Sequence, residues 1–199
     1  MTDFTNRQME IIDESIKLIA KGGIQELTIK NIANSIGISE PAIYRHFNSK
    51  IDILLSILSF FESNAKNLFQ KIHSKNISYV KKIESIFLTH CKAFAENPPL
   101  ATVIFSEEMF INEKVLAEKI SSIMKLHKKE IFEIMKKGQK NGEIRNDIPS
   151  EQLSFIILGT LRLTVTRWRL SNFSFDIKKE GRKMWNTIKK LITEKNELK

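Results

Sequence analysis

The segment Leu27–Lys50, LTIKNIANSIGISEPAIYRHFNSK, constrains the fold more than any other part of the chain. It reads as two short helices joined by a tight turn, the helix-turn-helix arrangement that lays its second helix in a DNA major groove. Thr28 is placed to cap the first helix with its hydroxyl. Ile29, Ile32, Ala33 and Ile36 then recur at helical spacing and define one apolar face. Gly37 ends that helix, where a positive φ is usually required. Ile38 is expected to pack inward and Ser39 to cap the second helix. Pro41 stands near its start, where the missing amide hydrogen has no helical partner to lose. Ile43 and Phe47, four apart, face the first helix. Glu40, Ala42, Tyr44, Arg45 and His46 are left pointing outward, and small Ala33 falls where two helices must approach closely. An ordinary helical hairpin needs the apolar positions but not the caps, the turn and the outward polar set together.

With the helix before it, this segment resembles the DNA-binding domain of the TetR family of transcriptional regulators. Thr28, Ile32, Ala33, Gly37, Ile38, Ser39, Ile43, Tyr44, His46, Phe47 and Lys50 carry the resemblance, through Gly-Ile-Ser, then Ile-Tyr-x-His-Phe, then Lys three residues on. It covers roughly residues 1–50; beyond them only length and helical texture match. The resemblance implies that the second motif helix enters the major groove. Tyr44, His46 and Lys50 then become phosphate contacts, and Thr28 offers its hydroxyl and the helix N-terminal amides to phosphate. Ser39 joins the same face. Base reading falls to Glu40, Pro41, Ala42 and Arg45: Arg45 can donate two hydrogen bonds to guanine, and Ala42 can touch a thymine methyl. Glu40 either accepts from cytosine or repels phosphate and tunes affinity. His46 has no second ligand at useful spacing, so no metal site is expected.

Charge adds a constraint. The chain of 199 residues carries a formal net charge of +9, yet residues 1–50 hold six basic and six acidic side chains. The reading head is therefore neutral, and the surplus lies in residues 51–199. DNA binding must rest on a few placed cations, helix N-termini and hydroxyls. The surplus elsewhere is either solvated helix faces, a long-range attraction to DNA or an attraction to an anionic ligand. Hydrophobic content of 42% excludes wholesale disorder. No apolar run reaches a membrane span, FIILGTL included, and the polar start MTDFTNRQME is not read as a signal peptide. A single cysteine, Cys91, excludes an internal disulfide. It suits a reducing cytoplasm, and a bacterial, nucleoid-associated pool is expected. Cys91 itself reads as a small buried hydrophobe; a redox role needs an accessible, electropositive thiol.

The pattern predicts an all-α chain of about nine helices: a helix-turn-helix domain over 1–50 and a helical effector-binding and dimerisation domain over 51–199. A first helix over Asn6–Lys21 turns Met9, Ile12, Ile16 and Ile19 inward. A long helix opens at Asn48 or Ser49 and suits a connector between domains. Further helices are expected over Ser78–Glu96, around Val103–Phe110, over Asn112–Asn141, over Ser150–Leu170 with Ser150 as its cap, and over Phe175–Thr193. The helix from Ser150 is apolar nearly all round at first, which predicts burial on every side.

A helix-turn-helix monomer covers one half-site, so a homodimer on double-stranded operator DNA is expected. The last two helices are the natural interface, as a four-helix bundle. Leu153, Ile156, Ile157, Thr160, Trp168, Met184, Trp185 and Ile188 are its candidates, unless they only complete the monomer core. Members of the family often hold a small, largely apolar effector in the middle helices. Candidates to line it are Phe61, Phe87, Cys91, Phe94, Phe105, Met109, Met124 and Leu161, although a Phe and Met stripe is more often plain core. No cofactor is expected.

These readings make a ligand-responsive repressor the leading function. The alternative is a DNA-binding regulator without a small-molecule effector, governed by a protein partner or by abundance. An enzyme has little support. The chain shows no nucleophile elbow, glycine-rich phosphate loop or metal-spaced cluster, and adjacent Glu107 and Glu108 point apart on a helix.

Overall fold

The computed structural model describes residues 4–105 and 113–193, so Glu107, Glu108, Met109 and Phe110 lie outside the described residues. All regular structure described is helical. The elements are α1 (Asn6–Gly22), a 3₁₀ turn (Ile24–Glu26), α2 (Ile29–Ile36), α3 (Glu40–Tyr44) and α4 (Lys50–His73). They continue with α5 (Tyr79–Glu96), α6 (Pro98–Ile104), α7 (Lys114–Lys140), α8 (Ser150–Leu170) and α9 (Ile177–Thr193). The chain forms two compact units: residues 1–65 with 97–123, and 66–96 with 124–199.

In the first unit α1 starts on a reciprocal capping box. Thr5 Oγ1 accepts from Gln8 N at 3.2 Å, and Gln8 Oε1 accepts from Thr5 N at 2.9 Å. Ile11, Ile12, Ile16 and Ile19 form its buried face; Met9 is only partly covered. They share one core with Leu27, Ile32, Ala33, Ile43 and Phe47 of the motif, Ile53, Leu54, Ile57 and Leu58 of α4, and Leu100 and Val103 of α6. α1 packs on both α2 and α6. The helix starting at Asn97–Pro98 thus belongs to the motif's own core. Its Pro at the first position and Asn97 cap, Oδ1 accepting from Leu100 N at 3.2 Å, set that start. Glu62 of α4 accepts from Lys119 Nζ of α7 at 2.6 Å, largely shielded from water.

In the second unit α9 packs on α5 and α8. Trp185 is 1% exposed and lies 6.4 Å from the Phe87 ring. α9 ends on a clasp: Arg145 N donates to Ile192 O at 2.8 Å and Nη1 to Leu191 O at 3.2 Å, while its Nε holds Asp147 at 2.7 Å. These bonds satisfy terminal helix carbonyls that would otherwise lack partners. Trp168 Nε1 donates to Phe175 O at 2.8 Å across the turn joining α8 to α9.

α9 comes close to α5 at Gly181. A Cβ there would stand 2.7 Å from Cys91 Sγ and 3.2 Å from Cys91 Cβ. Gly181→Ala is therefore expected to cost about 1–3 kcal/mol of stability despite the better helix propensity of alanine. Cys91→Ala should recover most of that loss in the double variant, measured by chemical denaturation. An unchanged midpoint for Gly181→Ala would contradict the close approach.

Two expectations are corrected by the helix ends. Pro149, not Ser150, holds the cap position of α8; Ser150 is its first residue, and its carbonyl accepts from Ser154 Oγ at 2.6 Å. The stretch apolar all round is not buried all round. Leu153, Ile157, Leu161 and Val165 face inward, while Phe155 is 75% exposed and Leu163 60%. Among the described residues, the side of α8 that carries Phe155 and Leu163 is left exposed.

Candidate nucleic-acid interface

The motif is built by local chemistry that its sequence shows. Thr28 Oγ1 caps α2, accepting from Asn31 N at 3.0 Å. Asn31 Nδ2 in turn donates to Glu26 O at 3.0 Å, which ties the 3₁₀ turn to the cap. Gly37 closes α2 at φ 78°, ψ 35°, the left-handed region where a Cβ is costly. Its amide and that of Ile38 both donate to Ala33 O, at 2.9 and 3.0 Å. The reversal sets α3 against α2, with Ile43 and Phe47 in the core.

Ser39 occupies the cap position of α3 in extended conformation, yet its hydroxyl makes no capping bond. It caps the helix through its backbone: its carbonyl accepts from Ala42 N at 2.9 Å, and its hydroxyl is left on the surface. α3 is short because Arg45 ends it, after which Phe47 N still reaches Ile43 O at 3.1 Å. Ser49 and Asp52 open α4: Ser49 Oγ accepts from Asp52 N at 3.1 Å, and Asp52 Oδ2 accepts from Asn48 N at 3.0 Å.

Thr28, Ser39, Glu40, Pro41, Tyr44 and Arg45 are exposed; Ala42, His46 and Lys50 are half-buried. All nine lie in the first unit. Lys50, expected as a phosphate contact, is already engaged within the motif. Its Nζ donates to Ile24 O at 2.8 Å, and partial burial lowers its pKa from the ordinary value. It pins the start of α4 to the 3₁₀ turn, and only its remaining N–H bonds can face a phosphate. Behind this face Glu14 accepts from Ser35 Oγ at 2.6 Å, which holds its carboxyl below the usual range and links α1 to α2.

The candidate effector residues are not brought together in one unit. Phe61 and Phe105 lie in the first unit and are half-buried. Phe87, Cys91, Phe94 and Leu161 are buried in the second, and Met109 lies outside the described residues. Phe87 and Cys91 face α9, as the Trp185 and Gly181 contacts show. Met124 is corrected from interior to surface: it is 55% exposed, because Ile123 and His127 take the inward positions of α7 there. Burial pushes the Cys91 thiol up to about 12, so it is an inert small hydrophobe.

Sequence reading missed a buried imidazole pair in the second unit. His90 Nδ1 donates to Ile86 O at 2.8 Å, so the Nε2 of neutral His90 accepts from His127 Nε2–H at 3.2 Å. The pair lies against the Phe69 and Phe94 rings. The two histidines are 37 residues apart, and no spacing signal joins them. Among the described residues no three His, Cys, Asp or Glu side chains converge to hold a metal, and no helix is long and apolar enough to cross a membrane.

The dimer candidates divide in the same way. Leu153, Ile157, Trp168, Trp185 and Ile188 are at most 4% exposed within their own unit. Within one chain they lie in the core where α9 packs on α5 and α8. Ile156 is 45% exposed, and Thr160 and Met184 are half-buried. The outward face of α8 instead carries Phe155, Leu163 and Leu170 around a bare Gly159.

Residues 11–57 match the model of bacterial regulatory proteins of the tetR family, and residues 61–193 match the C-terminal region of YsiA-like proteins. The chain belongs to the TetR family. It is thus a transcriptional regulator whose N-terminal domain is a helix-turn-helix, and the family is not an enzyme family. Among similar proteins, the fatty acid metabolism regulator protein of Bacillus subtilis is 26% identical over 86% of this chain and 88% of its own length. The nucleoid occlusion factor SlmA of Vibrio vulnificus is 24% identical over 91% of this chain and 93% of its own. The crystal structure of FadR from Bacillus subtilis in complex with stearoyl-CoA superposes with a TM-score of 0.79 at 25% identity, covering 90% of this chain and 96% of FadR.

Proposed function

We propose that this regulator is a homodimeric, cytoplasmic repressor that reads a palindromic operator through α3 and is released from it by an amphipathic anion of the fatty-acyl class. The observation that carries the DNA part is α3 itself. Capped by backbone bonds and seated on Ile43 and Phe47, it turns Glu40, Pro41, Tyr44 and Arg45 to solvent. The effector part is supported by likeness to a regulator that binds stearoyl-CoA and by the cationic surplus beyond residue 50. Release needs a ligand that binds a spread state of the dimer better than the DNA-competent one. α4 and α7 each contribute residues to both units, so they are the chain's own path between effector and reading head.

Arg45 is expected to supply specificity. Arg45→Ala should cost about 1–3 kcal/mol at one base pair and relax the preference there. Operators selected from random DNA and titrated with single-base variants test this. A uniform loss across all variants would assign Arg45 to phosphate rather than base.

One observation favours a second reading, a regulator without a small-molecule effector, governed by a protein partner or by abundance. Phe87, Cys91, Phe94 and Trp185, among them three of the expected effector-lining residues, are each only 1% exposed. Likeness to a nucleoid occlusion factor fits the same reading. Thermal shift with palmitoyl-CoA, palmitate and bile-acid-like amphiphiles separates the two. Stabilisation by none of them favours the second.

A further inference from the structure

The second unit holds a groove of about 560 Å³ whose lining comes from three separate stretches of chain. The last turn of α4 and the residues after it give Leu68, Lys71, Ile72 and Lys75; α5 gives Leu88, Thr89 and Lys92; α9 gives Lys178 and Arg182. That volume is in the range of small-molecule sites. Five cations ring an apolar floor of Leu68, Ile72 and Leu88, and no acidic side chain lines the groove. Lys92 pairs loosely with Glu96, at 3.7 Å and well exposed. Asp176 accepts from the amides of Lys178 and Lys179 at 2.8 and 3.1 Å, so it is committed to capping α9. Lys71, Lys75 and Arg182 have no acidic partner among the described residues. Ser74 and Ser85, also in the lining, donate their hydroxyl protons to helix carbonyls at 3.0 and 2.8 Å. The donors left for a ligand are therefore the five cations and Thr89.

We propose that this groove binds the phosphorylated head group of an amphipathic ligand. A lone carboxylate needs one cation. Five cations, three of them without an acidic partner among the described residues, match several phosphate charges, with Arg182 able to hold one phosphate through two N–H bonds. The apolar floor suits the carbon chain next to the phosphates. The inference deepens the effector reading and rests on it for the ligand class.

The test is calorimetric titration of the full-length protein with palmitoyl-CoA, free coenzyme A, palmitate and inorganic pyrophosphate, against the exposed double variant Lys75→Glu/Arg182→Glu. Expected is at least a tenfold loss for palmitoyl-CoA and coenzyme A, no change for palmitate, and weaker wild-type binding at high salt. Loss for pyrophosphate alone would mean a free-phosphate site and overturn the amphiphile assignment. Equal affinity of both proteins for coenzyme A compounds would overturn the site while leaving the effector reading intact. A variant that loses only non-specific DNA binding would also overturn it, making the groove a DNA-backbone contact. Groove binding of coenzyme A compounds without operator release would uphold the site and defeat the effector reading.

Discussion

Leu163→Glu is expected to turn the proposed dimer into a folded monomer that no longer holds its operator. Leu163 lies on the outward face of α8 with Phe155, Leu170 and, at the margin, Ile156; these are 60%, 75%, 75% and 45% exposed in one chain. Apolar side chains of this size each gain about 1.5–3 kcal/mol on leaving water. A two-fold dimer uses the same face twice, and Gly159 at its centre lets two backbones approach. A carboxylate at 163 would be buried opposite its own copy. The fold should survive, because Leu163 is mostly exposed within one chain. Two tethered reading heads bind tighter than one by about 10²–10⁴-fold, so operator affinity should drop by that factor. Light scattering and operator titration read both effects. Ile157→Glu is the contrasting control: at 1% exposure it should unfold the chain rather than split it. A Leu163→Glu protein that remains dimeric would place the interface elsewhere.

Acid should weaken the fold through His90. Burial, then the neighbouring His127, holds its pKa at about 4, below the ordinary 6.5. The unfolded chain therefore binds this proton more readily than the folded one. The contribution is complete above pH 6.5, falls as pH drops through the interval, and is gone below about 4. At about 1.4 kcal/mol per pH unit the interval is worth about 3 kcal/mol. Carboxylates titrate in part of the same window, so the readout is a difference: wild type against His90→Gln, which can still accept from His127. The wild-type stability should fall more steeply between pH 6.5 and 4, by urea denaturation at each pH. Parallel curves would show that the pair is solvated or protonated in the folded state.

What the sequence makes legible here is local. The Thr28 cap, the Gly37 reversal and the Ile43–Phe47 pair are decided by residues within about four positions of one another, and each is found in the structure. What it hides depends on partners far along the chain. Lys50 reads as a free cation until its ammonium meets the carbonyl of Ile24, 26 residues earlier. α8 is apolar all round whether its outer side meets core or partner, so periodicity alone cannot separate Ile157 from Phe155. Trp185 is large and aromatic, the composition of an interface, yet the gap left by Gly181 and Cys91 draws α9 onto α5 and buries it. The His90–His127 contact and the cationic groove arise only when α5 meets α7 and α9. The charge surplus in residues 51–199 signalled that such a groove was possible, not where it lies.

The central claim is that one dimer both reads an operator and lets it go when an acyl ligand binds. Fluorescence anisotropy of a selected operator duplex, with and without saturating palmitoyl-CoA, tests it directly. A ligand that prefers the spread state 100-fold should raise the operator Kd about 100-fold, equivalent to about 2.8 kcal/mol. Tight palmitoyl-CoA binding with an unchanged operator Kd would contradict the account.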